Sequence, residues 1–282
     1  MFNITSGPLK GLKPIHLIVY PLLTFLVLVI NYPFIWMALS SLKTEKEFYV
    51  LPIKLFPESF VWQNYVTAWN HAPWATYIKN SFITSIIPVF GQVTLGSLAA
   101  YAFTRTFKLN KLIFTLFLGV MMIPGQATLI PNYVIIRNLG WINSYYALIV
   151  PFMSGTFSIF LIRQYFLSIP KDYEDAAFID GASPFYFLLR VLVPLSMPAM
   201  VTVSLLTFND RWNDYLYSMI MVTRDAMRTV QVGMGAFQGE QGIIQWGYLT
   251  AASTFITIPT IVLFLFVQKR FIDGVMMSGI KG

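Results

Sequence analysis

Of the chain's 282 residues, 56% are hydrophobic and only 11% are charged, and the mean hydropathy is +0.65. An average soluble domain carries about a quarter charged residues, so an ordinary water-facing globular surface is excluded. The formal charge of +7 comes without a long Lys/Arg cluster, which argues against a nucleic-acid face, and the lack of cysteine rules out disulfides, thiolate metal sites and cysteine nucleophiles.

Windows free of charge organise the chain, at 14–42, 80–104, 112–136, 138–162, 191–209 and 241–268. A helix needs about 20 apolar residues to cross a bilayer, and each window approaches or exceeds that length. Each crossing has to be helical, because an isolated segment in lipid must satisfy its own backbone. A β-barrel strand would alternate in polarity, and the run LIFTLFLGVMMI at 112–123 does not. The prediction is an all-α membrane protein with six transmembrane helices, at about 15–39, 80–104, 112–136, 138–162, 191–209 and 247–268.

The first window follows Lys10 and Lys13, but it is too long for the apolar region of a signal peptide and reads as a retained helix. Prolines inside windows, among them Pro88, Pro124, Pro151, Pro194 and Pro259, read as kinks. His16 and His71 stand alone and read as interface residues rather than metal ligands. An even number of spans puts both termini on one side. That side carries eleven Lys/Arg residues against eight on the other, which favours cytoplasmic termini.

The loops differ. The outer loop 43–79 holds Trp62, Trp69 and Trp74 among prolines and reads as a compact element along the interface. The outer segment 223–247 is rich in glycine, and a flexible or tightly turned stretch is expected there. The inner loop 163–190 contains Pro170, an acidic start at Asp172, Glu174 and Asp175, the small pair Ala176 and Ala177, then Gly181 and Pro184. Acidic residues suit a helix N-terminus, and the glycine and second proline end that helix within two turns. Glycine at 181 also permits a left-handed backbone at the helix end. Such a helix is either an ordinary amphipathic connector or a smooth surface for another protein.

Asp175-Ala176-Ala177, then Gly181, then Val191-Leu192-Val193-Pro194 resembles the EAA motif of importer permeases, with Asp175 in place of the usual Glu and Glu174 just before it. Asn80-Ser81, the run Ala100 to Phe103, IPGQATLIPNY at 123–133, Trp212-Asn213-Asp214 and the closing QKRFIDGVMMSGIKG are similar to the sugar-importer branch, the smaller maltose-type permease subunit in particular. The resemblance implies a single permease domain over 1–282 with a type I ABC importer bundle and a cytoplasmic coupling helix. It implies a second permease subunit, two cytoplasmic ATPase subunits and an extracytoplasmic sugar-binding protein as partners. On this resemblance Glu174, Asp175, Ala176, Ala177, Asp180, Gly181 and Ala182 form the ATPase contact. No G-x-x-x-x-G-K-[ST] loop is present, so no cofactor is expected on this chain and any ATP falls to a partner.

Polar groups beside aromatic faces suit a sugar. Asn209, Asp210, Trp212, Asn213 and Asp214 supply both at the outer end of the fifth window, where an interface anchor with a hydrogen-bond network is the other reading. Gln92, Gln126 and Asn132 are further polar positions inside windows, readable equally as glue between helices. Phe237, Gln238 and Trp246 are candidates to meet the binding protein, or simply part of a capping loop. An enzyme would need a catalytic constellation, and a channel would need a filter; neither is visible. A permease for an amino acid or a phosphate ester is the alternative within importers.

Overall fold

The computed structural model describes residues 14–237 and 244–279, with side chains described over 19–237 and 244–268. Gln238 and the closing 280–282 lie outside the described residues. Among the described residues every element is helical. Among the described residues four helices are long and apolar enough to cross a membrane: Val19–Ser40, Trp74–Thr104, Tyr145–Ser168 and Trp246–Gln268. The pair Pro184–Leu195 and Met197–Trp212, bent by 76°, makes a fifth candidate if the two helices form one broken span. The chain separates into two compact units, Met1–Asn70 with Phe237–Phe255, and His71–Ala236 with Ile256–Gly282.

The first unit begins with α1 (Pro14–Ser40), whose large side chains stay exposed, Phe25 at 62% and Ile30 at 67% for example. A helix apolar all round is expected where lipid is the solvent. Beyond it the chain folds back onto α2 (Gln63–His71). The Asn64 amide donates to the carbonyls of Ser41 at 2.9 Å and Lys43 at 2.8 Å. Lys43 is buried, with its ammonium 4.2 Å from the Trp36 ring centre and donating to the Lys54 carbonyl at 2.5 Å. Burial pushes the Lys43 ammonium below its ordinary pKa, and nearby Glu47 opposes this in part. Burial alone would raise the Glu47 carboxyl, but the backbone N–H groups of Glu58 and Thr44, the Thr44 hydroxyl and Lys43 hold it below its ordinary value. The part of 43–79 up to Asn70 belongs to this unit, with Trp62 and Trp69 exposed as interface aromatics would be, but Trp74 is 1% exposed and begins the next helix, so the expected element ends short of it.

The second unit is built on α3 (Trp74–Thr104). It starts six residues before the charge-free window because Lys79 lies on the helix near its end, where a charge is tolerated. The third window is not one helix. Helix α4 (Asn110–Gly119) runs into a single 3-10 turn and breaks at Pro124-Gly125, and α5 (Leu129–Asn138) follows. The fourth crossing lies closer to the C-terminus than the 138–162 window. Residues 139–144 form a turn in which Asn143 takes φ 60°, and the crossing is α6 (Tyr145–Ile149), a 3-10 turn at Pro151, and α7 (Thr156–Ser168). Charge alone could not locate that turn, because Asn143 and Ser144 are uncharged.

After α8 (Asp172–Ile179) comes the bent crossing: α9 (Pro184–Phe187), a π turn at Leu188–Leu192, α10 (Val193–Leu195), then α11 (Met197–Trp212). Pro194 and Pro198 each remove a backbone donor on either side of the bend at Ser196, which explains why the helix breaks there. Short helices α12 (Leu216–Met221) and α13 (Val230–Gly233) precede α14 (Trp246–Gly279), which runs from the first unit into the second.

Helices α3, α7 and α11 form the heart of the second unit around Ala100, Ile162, Phe166, Met200 and Val203. Glycine lets α3 approach the turn before α7 closely: a Cβ on Gly91 would fall 2.8 Å from the Met153 carbonyl oxygen. Beside it the Gln92 carbonyl oxygen accepts from the Thr207 hydroxyl at 3.0 Å and from Ser158, while its amide donates to the Phe152 carbonyl at 3.0 Å. Gln92 therefore joins three helices, the glue role of the two readings open to it. At the other end of this face, Asn80 donates to the carbonyls of Ala226 and Arg228 and accepts from the Tyr145 hydroxyl at 2.6 Å.

Candidate functional site

Helix α8 starts with three acidic residues in its first turn, where they face the positive end of the helix dipole. Its end is a Schellman motif: the Gly181 N–H donates to the Phe178 carbonyl at 3.1 Å and the Ala182 N–H to the Ala177 carbonyl at 2.9 Å. Gly181 takes φ 81°, the left-handed region that other residues adopt only with strain. A Cβ there would meet nothing within 4 Å, so glycine is wanted for its backbone and not for room inside this chain.

The two faces of α8 are different. Ala177 packs on the cluster around Ile162, Phe166 and Phe187, and the Phe178 ring lies 5.7 Å from that of Phe187. Glu174 forms an ion pair with Arg105, which follows the end of α3, and the Arg105 guanidinium sits 4.2 Å from the Tyr101 ring centre. The opposite face presents Tyr173 (52% exposed), Asp175, Ala176 and Ile179 (85% exposed). The small pair is thus divided: Ala176 is free, whereas Ala177 seats the helix on its own bundle. The two acids are divided in the same way, Glu174 tied inward and Asp175 open. Ile179 was not among the expected contact residues, although an apolar residue three positions after Ala176 on a short acidic helix was the signal for it.

The polar run at the end of α11 is mostly a fastening. Trp212 is 1% exposed, stacked on Phe208 at 5.5 Å and edge-on to Phe82 at 5.0 Å. Its face is therefore closed to any solvent-filled path here, a correction to its expected role, because aromatic packing buries the ring. Arg211 lies 3.5 Å from the Phe152 ring centre and pairs with Asp210 at 2.8 Å. Asp214 accepts from the backbone N–H of Ser218 at 3.0 Å and its hydroxyl at 2.7 Å, capping α12. Asn209, Asp210 and Asn213 are exposed, with Asn213 accepting from the Gln231 amide at 3.2 Å. Gln126 is exposed and Asn132 half-buried.

Of the residues expected to meet a binding protein, Phe237 is 1% exposed and cannot be presented in this structure, because its ring is packed inward. Trp246 is 38% exposed and stacks on Phe48 at 6.5 Å, while the backbone N–H groups of Trp246 and Gly247 donate to the Glu45 carboxylate at 3.3 and 3.2 Å. Glu45 thereby caps α14, which leaves four donors free at its first turn. Gln238 lies outside the described residues. No group of three or more His, Asp or Glu suited to a metal occurs among the described residues.

The described residues thus form helices with four or five candidate crossings and a short, glycine-ended helix with an exposed face, an arrangement that fits the permease class of ABC importers. Residues 92–276 match the family described as binding-protein-dependent transport system inner membrane component, and the chain belongs to that family. It is a multi-pass inner-membrane permease subunit and not itself the catalyst of ATP hydrolysis. The chain is 34% identical to the trehalose/maltose transport system permease protein of Thermococcus litoralis, across 96% of this chain and 98% of that protein. It is 30% identical to the sn-glycerol-3-phosphate transport system permease protein of Salmonella typhi, across 89% and 92%. Its fold matches a chain of a bacterial ABC transporter involved in alginate import with a TM-score of 0.79, covering 95% of this chain and 100% of that one at 23% identity.

Proposed function

We propose that the chain forms part of the path for a carbohydrate, a di- or oligosaccharide delivered by an extracytoplasmic sugar-binding protein, with a second permease subunit and two cytoplasmic ATPase subunits as partners. The observation that carries the coupling half is the free face of α8, where Tyr173, Asp175, Ala176 and Ile179 stand outward from a helix already anchored through Glu174 and Ala177. An exposed isoleucine beside a small residue is a surface that lacks a partner. Docking Asp175, Ala176, Asp180, Gly181 and Ala182 on an ATPase would bury it, and Glu174 would then act from behind by holding the helix. ATP closes the ATPase pair, the docked helices move with it, and the bundle changes the side to which it opens. In this reading both termini are cytoplasmic, all of 1–282 is one permease domain, and the broken α4–α5 segment supplies the sixth crossing.

The sugar half is supported by the trehalose/maltose relative at 34% identity over nearly the full length. Asn209, Asp210 and Asn213 are the exposed polar groups of the outer run and border the path, with Asp214 and Trp212 holding them in place. On the same reading the exposed edge of Trp246 meets the binding protein. A phosphate ester is the second reading, favoured by the glycerol-phosphate relative.

Proteoliposomes holding the complete transporter and its binding protein should take up labelled maltose or trehalose only with ATP inside and binding protein outside. Uptake without either component would identify a channel and end the importer reading. Preferential uptake of sn-glycerol 3-phosphate would select the phosphate ester. Asn209→Ala with Asn213→Ala should lower sugar uptake by about tenfold, the equivalent of losing one or two good hydrogen bonds. Normal uptake by that variant would place the path elsewhere.

A further inference from the structure

A concave site lies away from the free face of α8, where the hairpin between α3 and α4 meets α7. It is a cavity of about 780 Å³ whose lining includes Arg105, Lys111, Arg163, Thr106, Asn110 and Thr115. Three cations converge on it, and one carboxylate answers them. Glu174 pairs with Arg105, while among the described residues no carboxylate pairs with Lys111 or Arg163. The Arg105 Nε is buried and has no hydrogen-bond partner. Arg163 is held in place, its Nε donating to the Phe103 carbonyl at 3.0 Å and its guanidinium 4.2 Å from the Phe114 ring centre. The hairpin is fixed as well: the Asn110 amide donates to the Arg105 carbonyl, and Leu109 is held at φ 69°.

Charge alone would suit any oxyanion; the rim narrows the choice. Phe107, Leu109 and Leu112 are 44%, 57% and 53% exposed around the mouth, and the apolar surface continues along α4 through Leu116, which is 65% exposed. A soluble phosphate gains nothing from such a rim. A phospholipid needs both halves, cations and hydroxyls for its phosphate and an apolar flank for its chains.

We infer that the pocket between the α3–α4 hairpin and α7 seats the phosphate headgroup of an anionic phospholipid from the surrounding bilayer. Arg163 and Lys111 supply the charge, Thr106 and Thr115 add hydroxyl donors, and the acyl chains run along α4. Arg105 stands between the two sites, shared by Glu174 on α8 and by the pocket wall. A lipid bound there would stiffen the hairpin against which the α8 anchor pulls. The inference rests on the membrane-spanning reading and on no particular solute. Its test reads lipid and not transport, so it fails or stands separately from the importer proposal.

The full chain, purified in mild detergent, is offered dioleoylphosphatidylglycerol or dioleoylphosphatidylcholine, and retained lipid is read by native mass spectrometry. The anionic lipid should be retained in preference. Arg163→Gln with Lys111→Gln should lower that retention by about thirtyfold, each charge near a membrane surface accounting for roughly fivefold. Lys46→Gln with Lys79→Gln, which removes two exposed charges elsewhere, should leave it unchanged. The charge-preserving Arg163→Lys with Lys111→Arg should keep the preference, and its loss there would count against the inference even if the glutamine pair folds poorly. Equal retention of the two lipids, or wild-type retention by the glutamine pair, overturns the inference. So does displacement of the lipid by millimolar inorganic phosphate or ATP, which would show a soluble anion site, and so does its loss on assembly with the partner subunits.

Discussion

Gly181→Leu should leave the spans inserted and helical yet lower ATP-driven uptake by more than about tenfold. The local cost of a side chain at φ 81° is about 1–2 kcal/mol, and every non-glycine residue incurs some of it. Asparagine incurs least, because its side chain tolerates the left-handed region. Within this chain a Cβ at 181 meets nothing within 4 Å, so each side chain starts in open space and the shared cost is the backbone strain. Gly181→Asn, Gly181→Ala and Gly181→Leu should therefore unfold the purified chain at closely similar temperatures. Any steep decline from Asn to Leu in pull-down of the ATPase, in ATPase rate or in uptake must arise from a surface that this chain does not contain. That separation is what makes the series informative: strain alone gives a shallow trend, a docked partner a steep one. Wild-type behaviour of Gly181→Leu in all three assays would remove α8 from the coupling role.

Much of this was readable from the sequence because lipid imposes a coarse rule. A span must be long, apolar and uncharged. Among the described residues charge-free windows therefore found the four long candidate spans and the bent pair even where their edges were wrong, while the third of the six expected spans is a broken segment. The edges failed where uncharged polar residues set them. Asn143 and Ser144 form a turn inside an apparently continuous window, and Pro124-Gly125 divides another. Lys79 misled in the opposite direction, lying inside α3 although charge marked it as loop. At the site, spacing located α8 and the conformation of Gly181, both local properties of the chain. Spacing did not tell which alanine faces the bundle, nor that Glu174 belongs to Arg105, a residue 69 positions away. Those facts depend on how α8 sits on the ends of α3 and α7. The same holds for Trp212, whose type suits a sugar path and whose neighbours Phe82 and Phe208 make it core. Residue type proposes a chemistry, and only packing decides whether the side chain is free to perform it.

Packing should also separate two glycines that the sequence treats alike. Gly91 and Gly96 both lie on α3, and replacing glycine by alanine inside a helix is ordinarily favourable by about 0.5–1 kcal/mol. At Gly96 the added methyl would come 3.2 Å from Ile162 Cδ1, the far end of a side chain that needs to move by only a few tenths of an ångström. Gly96→Ala should therefore be neutral or slightly stabilising. At Gly91 the methyl would fall 2.8 Å from the carbonyl oxygen and 2.9 Å from the Cα of Met153, which are backbone atoms and cannot swing aside. Relief requires α3 and the 150–155 turn to separate. That movement would stretch the bond from the Gln92 amide to the Phe152 carbonyl, now 3.0 Å. Overpacking of this kind costs about 1–3 kcal/mol, which exceeds the helix-propensity gain. Gly91→Ala should lower the unfolding temperature of the detergent-purified chain by several degrees, while Gly96→Ala holds it or raises it. Uptake should fall with Gly91→Ala, because Gln92 ties α3 to both α7 and α11 and all three would lose register together. Equal thermal stability of the two variants would mean that the α3–Met153 contact relaxes freely, and Gln92 would then be a local bond and not the joint of the bundle.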